Sequence, residues 1–270
     1  MPDGVQCWLC NAIAQPHSRL GSVGYWQCST CGFVFQPQRS SAEDEAAHYT
    51  SDYFDDYGGQ SYETPRPRQH EARQRADLVE RQLRNGRILE VGAASGYFVA
   101  ECLRRGFEAE GVEPSAAAEV ARDRGLPVHT GTLASAADLG RTYDAVCAWH
   151  VLEHLPQPLE ALAQFARLLE PDGFLFVEVP NVGSGAAERF GTKWRHLDAA
   201  NHVAQFDAKT LAGALASTGF ASISIATIGM REYSRWPALH VPYDAVMFGV
   251  RTRVHPTRHE LVRAVARKGP

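Results

Sequence analysis

The strongest constraint on the fold of this chain is an alternation, from about residue 70 onward, of short apolar runs with amphipathic stretches of about ten residues. Strands that alternate with helices predict a parallel, doubly wound α/β sheet. In such a sheet the ligand binds beyond the carboxyl ends of the strands. We therefore expect the functional residues on the loops that follow strands.

The same periodicity gives the bounds of the predicted elements. The predicted helices span 69–85, 96–105, 116–124, 158–169 and 208–217. The predicted strands span 87–91, 108–112, 128–130, 143–149, 174–179, 222–228 and 245–250. Together the strands predict a mostly parallel, seven-stranded, Rossmann-like sheet.

Composition divides the chain into four zones. Residues 1–40 hold four of the six cysteines and are predicted to form a small zinc-binding ribbon. Residues 41–69 are polar and tyrosine-rich, which indicates a linker or a lid. Residues 70–252 carry the α/β pattern, and residues 253–270 are assigned to a C-terminal tail.

The tyrosine-rich segment has a helical spacing of its own. Tyr49, Tyr53 and Tyr57 recur every four residues and would line one face of a helix. That face would either pack on the core or cover the ligand pocket, and the sequence leaves both alternatives open.

The N-terminal cysteines have the spacing of a zinc site. Cys7 and Cys10 form one CxxC pair, Cys28 and Cys31 form a second, and 17 residues separate the pairs. Four thiolates complete a tetrahedron around Zn²⁺ and leave no open position, so the predicted metal is structural. The other two cysteines lie in apolar segments and are predicted as core residues: Cys102 and Cys147.

Charge and hydropathy disfavour two classes of partner. The net charge is −4 and the pI is about 6.3, so there is no basic footprint for nucleic acid or for an anionic membrane. The apolar runs are far shorter than a membrane span, and the N-terminus lacks the pattern of a signal peptide. We therefore expect a cytoplasmic protein without a membrane partner.

The stretch ILEVGAASGYF, residues 88–98, predicts a strand, a tight turn and a helix start. Gly92 and Gly96 shape a nucleotide turn, but Ala94 stands in place of the middle glycine of a dinucleotide fingerprint and the last glycine of that fingerprint is absent. Glu90 would repel a pyrophosphate and suits an ammonium group. Glu113, at the end of the next strand, can accept both hydroxyls of a ribose. A ligand with a ribose, an amine and no phosphate fits both acids, and S-adenosylmethionine (SAM) is such a ligand.

With these residues the chain resembles the class I SAM-dependent methyltransferases. The resemblance covers residues from about 70 to about 250 and rests on ILEVGAASG, GVEPS, YDAVCAWHVLEHLPQP and LLEPDGFLFVEVPN, in that order. It implies a set of residues around SAM: Glu90, Gly92, Gly96, Glu113, Thr132, Leu133, Trp149 and His150. In that set Thr132 and Leu133 flank the adenine, and Trp149 and His150 border the methionine part. Trp149 fits the plain core equally well.

The segment WHVLEHLPQP offers the candidate catalytic groups. By the resemblance to methyltransferases that modify sugars, His154 occupies the position of their general base. In many relatives the same histidine serves packing, and the sequence leaves both roles open. His150 is a second candidate. The order H-x-x-E-H also matches an inverted zincin motif, but Pro156 and Pro158 end any helix within a turn, so we reject that metal site.

Residues 181–206 form a connection long enough to handle a substrate, and they carry aromatic and basic side chains. His202 in this connection is a further base candidate, and its alternative is to cap the helix that begins near Asp207. Asp207 is itself the better cap.

The leading functional prediction is methyl transfer to a small molecule or a glycan. The resemblance extends to bacterial sugar and natural-product methyltransferases that carry a zinc knuckle. O-methylation is favoured over C-methylation, because the chain stops about twenty residues after its last predicted strand whereas the C-methylating relatives are longer. Two alternatives remain: a zinc-ribbon rRNA guanine N-methyltransferase, and a SAM-binding module without catalysis.

Overall fold

The computed structural model describes residues 4–37, 65–229 and 258–269. Most of the tyrosine-rich segment and the predicted strand 245–250 lie outside these residues. Within the described residues no helix has both the length and the apolarity to cross a bilayer.

The N-terminal ribbon is a small antiparallel sheet. Its strands are β1 (Ala14–Pro16), β2 (Trp26–Cys28) and β3 (Val34–Phe35). A fourth strand, β9 (Ala204–Gln205), pairs with β3 and comes from the connection 181–206 of the α/β domain. The ribbon is thus completed by the domain that it precedes in sequence.

The main sheet has seven strands among the described residues, in the order β10-β11-β8-β7-β4-β5-β6. The strands are β4 (Arg87–Val91), β5 (Glu108–Glu113), β6 (Val128–Thr130), β7 (Tyr143–Trp149), β8 (Leu169–Pro180), β10 (Phe220–Ile228) and β11 (Leu261–Lys268). β4 to β8 are parallel, and β11 runs antiparallel to both of its neighbours. The doubly wound, mostly parallel sheet predicted from the sequence is confirmed.

Helices cover both faces of this sheet. They are α1 (Pro65–Glu80), α2 (Tyr97–Arg104), α3 (Ala117–Asp123), α4 (Pro158–Leu168), α5 (Gly185–Phe190) and α6 (Ala208–Ser217). Their apolar faces bury the sheet in two large clusters of side chains, as a parallel sheet requires. Cys102 and Cys147 are fully buried in one of these clusters, as expected.

Two predicted boundaries were wrong. Residues 253–270, assigned to a tail, contain β11, which inserts between β8 and β10 and pairs with both over its length. The arginines in LVRAVARK obscure this strand in the sequence. Its pairing partners β8 and β10 lie at least 33 positions earlier in the chain, so no local pattern indicates the strand. The helix predicted at 69–85 begins and ends about five residues earlier, at Pro65 and Glu80.

Candidate active site

The turn after β4 has a conformation that small residues adopt most easily. Gly92, Ala94 and Gly96 have positive φ angles of 74°, 46° and 77°. A Cβ atom on Gly92 would lie 2.6 Å from Cγ2 of Val151, closer than side chains pack. The amide of Gly92 donates a 2.9 Å hydrogen bond to the carbonyl of Val112 on β5. Both φ and the lack of space therefore require glycine at position 92, where the turn meets the loop after β7.

Glu113 at the end of β5 holds this turn in place. Its Oε2 accepts a 2.9 Å hydrogen bond from the amide of Ala94, and its Oε1 accepts one of 3.0 Å from the amide of Ser115. An ionised carboxylate has about four acceptor positions, so Glu113 retains capacity for ligand hydroxyls. Its place and its chemistry fit a ribose.

Glu90 on β4 is a buried acid beside the same turn. Its Oε2 is buried and makes no hydrogen bond. Burial raises the pKa of Glu90 well above its usual range, and the charge of Arg75 acts in the opposite direction. An acceptor of this kind fits a cationic group of a ligand.

The residues predicted around adenine and methionine differ in their surroundings. Thr132 is exposed and Leu133 is largely buried, directly after β6. Trp149 is 5 % exposed, and its ring packs edge to face against Phe98 with centroids 5.5 Å apart. This contact favours the core alternative for the Trp149 side chain.

His150 lies between two buried carboxylates. Its Nδ1 is 3.1 Å from Oε1 of Glu153, and its Nε2 is 3.4 Å from Oε1 of Glu178. Burial acts to lower the pKa of His150, but the two carboxylates outweigh it and raise the pKa to about 9. An imidazolium at neutral pH has no lone pair to accept a proton, so His150 is poorly suited to be a base.

Glu178 is the centre of an ionic network that sequence reasoning missed. It is fully buried on β8 and forms salt bridges of 3.0 Å with Arg75 of α1 and 2.6 Å with Arg263 of β11. Burial alone would raise the pKa of Glu178, but Arg75, His150 and Arg263 hold it well below its usual range. The acid inside the apolar run LFVEVP could have indicated a buried charge in the sequence. No feature of the sequence indicated that Arg263 would pair with it.

His154 and His202 contact each other although they are 48 positions apart in sequence. Nδ1 of His154 is 3.2 Å from the carbonyl oxygen of Asn201, and Nδ1 of His202 is 2.9 Å from that of His196. A carbonyl only accepts, so each Nδ1 carries the proton and the lone pair lies on Nε2. The rings meet edge to face with centroids 4.6 Å apart. Burial lowers the pKa of His154 to about 4, against the opposing charge of Glu153.

Glu153 adds a carboxylate to these two imidazoles. Glu153 is 1 % exposed. One nitrogen or oxygen atom that could bind a metal, from each of Glu153, His154 and His202, lies within 4.8 Å of the others. Oε1 of Glu153 faces His150, whereas Oε2 is buried and makes no hydrogen bond. The predicted base candidates therefore belong to one polar cluster around the buried Glu153, after β7.

Part of the connection 181–206 packs against the ribbon instead of forming an open substrate loop. Trp194 is 3 % exposed and belongs to a small apolar cluster with Tyr25 of the ribbon, so its side chain does not face a substrate. Asp207 caps α6, as expected, and His202 does not. The part of this connection that reaches the candidate site is its end, around His202.

The four N-terminal cysteines converge as predicted. The Sγ atoms of Cys7 and Cys31 are 3.6 Å apart, those of Cys10 and Cys28 are 3.5 Å apart, and all four lie within 4.8 Å of one another. A tetrahedron of thiolates at about 2.3 Å from Zn²⁺ spaces its sulfurs about 3.8 Å apart. The donor set and its spacing fit a structural zinc ion.

Residues 66–225, more than half of the chain, match the family described as a methyltransferase domain. The chain belongs to this family. The chain has the fold of the SAM-dependent methyltransferases among the solved structures.

The chain is also similar to curated ubiquinone biosynthesis O-methyltransferases. The protein of Alkalilimnicola ehrlichii is 35% identical over 107 residues, which are 37% of this chain and 43% of that protein. The protein of Vibrio cholerae is 31% identical over 103 residues, 35% of this chain and 42% of that protein. The similarity thus spans less than half the length of either relative.

Solved structures share the fold at low sequence identity. A SAM-dependent methyltransferase of Thermotoga maritima, described as a possible histamine N-methyltransferase, superposes with a TM-score of 0.56 at 19% identity, over 80% of this chain and 98% of that chain. The 1,6-didemethyltoxoflavin-N1-methyltransferase of Burkholderia thailandensis gives 0.56 at 18%, over 88% and 96%. These likenesses establish the fold.

Proposed function

We propose that the protein transfers a methyl group from SAM to a hydroxyl oxygen of a small-molecule acceptor. The observation that carries the proposal is the cluster of the buried Glu153 with His154 and His202, at the same sheet edge as the turn after β4. Similarity to the ubiquinone biosynthesis O-methyltransferases supports oxygen as the acceptor atom. A sugar hydroxyl remains within the same chemistry.

SAM, when bound, supplies a methyl group on a sulfonium. We assign Glu113 to the ribose hydroxyls, Glu90 to the amine side, and Gly92 and Gly96 to the shape of the turn. The orphaned Oε2 of Glu90 and the spare acceptor capacity of Glu113 support this assignment.

His154 activates the acceptor in this proposal. The acceptor oxygen forms a bond to the methyl carbon while the sulfur–carbon bond breaks, and the hydroxyl proton is lost at the cluster. A neutral imidazole can take this proton directly and so act as a general base. This is the role that the sequence predicts for His154. The low pKa of His154 supports a neutral ring at physiological pH.

We further propose that Cys7, Cys10, Cys28 and Cys31 bind one structural Zn²⁺. The ribbon has three short strands of its own, and a metal of this kind supplies folding energy to such small units. Elemental analysis of the purified protein would give about one zinc per chain.

The test of the activity is a screen of acceptors with methyl-labelled SAM. Phenols, catechols and nucleotide sugars form the small-molecule arm, and ribosomal RNA forms the second arm. We expect label in a hydroxylated small molecule. Label in RNA would replace the proposal with the rRNA alternative, for which the ribbon offers little support because Arg19 is its single lysine or arginine within residues 4–37. SAM binding without transfer to any acceptor would favour the binding module.

Replacement of His154 tests the activating role. His154→Ala should lower kcat by about 10²–10⁴-fold while SAM affinity stays near that of the wild type. His129→Ala is the matched control, because His129 is half-exposed on β6 and far from the cluster in sequence. A normal kcat with reduced thermal stability would make His154 a packing residue.

A further inference from the structure

We propose that Glu153, His154 and His202 form a second metal site, which binds a divalent first-row transition-metal ion apart from the cysteines of the ribbon. The role of this ion rests on the proposed function, because we expect it to activate the acceptor oxygen. The site itself rests on the arrangement of three side chains.

One potential ligand atom from each of the three side chains lies within 4.8 Å of the others. The Nδ1 atoms of His154 and His202 donate to carbonyl oxygens at 3.2 and 2.9 Å, which leaves the lone pair of each ring on Nε2. The third acceptor is Oε2 of Glu153, which is buried and makes no hydrogen bond. A metal cation can bind the two imidazoles and the carboxylate together. A buried carboxylate oxygen without a donor is the independent sign that a cation is expected here.

The surroundings of these side chains have the organisation of a metal site. Histidines that bind a metal donate their other ring N–H to a carbonyl or carboxylate, as both rings do here. Oε1 of Glu153 is fixed by His150, and His150 is fixed in turn by Glu178. The carboxylate is therefore held through Oε1, while Oε2 makes no hydrogen bond.

The distances are those of a site that closes slightly on binding. One donor atom from each residue lies within 4.8 Å of the others. Donors at about 2.1 Å from a metal are about 3.0–3.5 Å apart, so the side chains would move by about an ångström. Two nitrogens and one oxygen suit Zn²⁺, Fe²⁺, Co²⁺ or Mn²⁺ better than Mg²⁺ or Ca²⁺, which prefer oxygen ligands alone.

Three protein ligands leave coordination positions for the acceptor oxygen. A hydroxyl bound to the cation loses its proton to water more readily, because the cation stabilises the resulting anion. The oxygen anion then attacks the methyl carbon, the sulfur–carbon bond breaks, and the sulfur leaves as a neutral thioether. In this form His154 is a metal ligand rather than the direct proton acceptor.

Equilibrium dialysis of the zinc-loaded protein against Co²⁺ tests the site. We expect one zinc and one cobalt per chain by elemental analysis. Glu153→Gln and His202→Ala should each weaken Co²⁺ binding by at least about 100-fold, because losing a ligand costs more than losing an outer hydrogen bond. Zinc content and SAM affinity should stay unchanged, and His129→Ala should bind Co²⁺ like the wild type.

The combination of metal binding and methyl transfer separates this proposal from the proposed function. Wild-type protein that binds no cobalt beyond the ribbon, or variants that bind it as tightly as the wild type, would overturn the metal site. If protein without a metal ion at this cluster still transfers methyl groups at the normal rate, the proposed function stands, with His154 acting directly as the base. Cobalt bound at this cluster without methylation of any acceptor would support the metal site and reject the proposed function.

Discussion

Glu113 shows how one side chain serves both the fold and the ligand site. It accepts hydrogen bonds from the amides of Ala94 and Ser115, so it ties the turn after β4 to the loop after β5. These bonds fix a positive φ at Ala94, which costs a non-glycine residue some conformational energy. In the proposed site, the carboxylate is therefore oriented before a ribose binds.

Replacement of Glu113 should weaken SAM binding. Glu113→Ala removes the acceptor for the ribose hydroxyls and releases the turn, and we expect a loss of about 1–3 kcal/mol in binding free energy by calorimetry. Glu119→Ala is the control, since Glu119 is exposed on the neighbouring helix α3. Equal SAM affinity in the two variants would contradict the ribose assignment.

At the scale of elements, the ribbon and the α/β domain share a sheet at the candidate site. β3 pairs with β9, and β9 begins two residues after His202. The hydroxyl of Tyr25, fully buried in the ribbon, donates a 2.6 Å hydrogen bond to the carbonyl oxygen of His202 and accepts one from Gln205. The ribbon thus fixes the backbone that carries a residue of the polar cluster.

Removal of this hydroxyl should destabilise the protein. Tyr25→Phe leaves the carbonyl of His202 and the amide of Gln205 without their partner in a buried place, and the free energy of unfolding should fall by about 1–3 kcal/mol. Tyr97→Phe, on a partly exposed ring that stacks on Arg124, should change it by less than about 0.5 kcal/mol. Chemical denaturation of both variants measures the difference, and equal values would contradict the role of the buried bond.

Glu178 joins three elements through charge. Glu178→Gln leaves Arg75, Arg263 and His150 around a neutral group, and loss of one partner of a buried ionic network costs about 3–5 kcal/mol. Asp172→Asn is the control, because the Asp172 pair with Arg267 is exposed and worth about 0–1 kcal/mol. Denaturation curves of the two variants should differ accordingly, and similar midpoints would contradict this network.

The same network sets a direction for acid stability. The folded protein holds the pKa of Glu178 well below 4.5, the ordinary value, which represents the unfolded chain. Its contribution to stability is therefore complete above that value and is lost as the pH falls through the depressed folded pKa. Glu178→Gln should remove this part of the acid dependence.

At the scale of the whole molecule, the four-cysteine cluster and the main sheet share one core. Cys7, Cys28 and Phe33 of the ribbon belong to the same buried cluster as Leu211 of α6 and Val262 of β11. Phe33 and Phe206 face each other with ring centroids 5.1 Å apart. Loss of order in the ribbon would expose part of this common core.

Removal of zinc should therefore lower the stability of the α/β domain as well. Chelation under conditions that unfold the ribbon is expected to cost at least about 3 kcal/mol, which lowers the Tm by about 6–12 °C for a domain of this size. Calorimetry should show one transition that shifts, and re-addition of Zn²⁺ should restore it. A small early transition with an unchanged main one would contradict the shared core.

Local pattern sufficed for much of the fold and part of the site. The bounds of β4, β6, β7 and α6 follow from apolar runs and periodicity, and the structure has them as predicted. β11 escaped because its strand pairing is entirely long-range. The same reason hid Arg75, Glu178 and Arg263, whose roles depend on meeting across α1, β8 and β11.

The sequence by itself determined the fold class, the family and the four cysteines that converge, because each depends on spacing within a short stretch or on the order of such stretches. The tertiary structure decided which histidines can act. Burial acts to lower the pKa of both His150 and His154. The carboxylates of Glu153 and Glu178 outweigh it at His150 and raise the pKa to about 9, whereas burial prevails at His154 and lowers the pKa to about 4. It also brought His202 to His154 through the pairing of β3 with β9. Such effects arise from distances and desolvation between residues far apart in the chain, which no local pattern records.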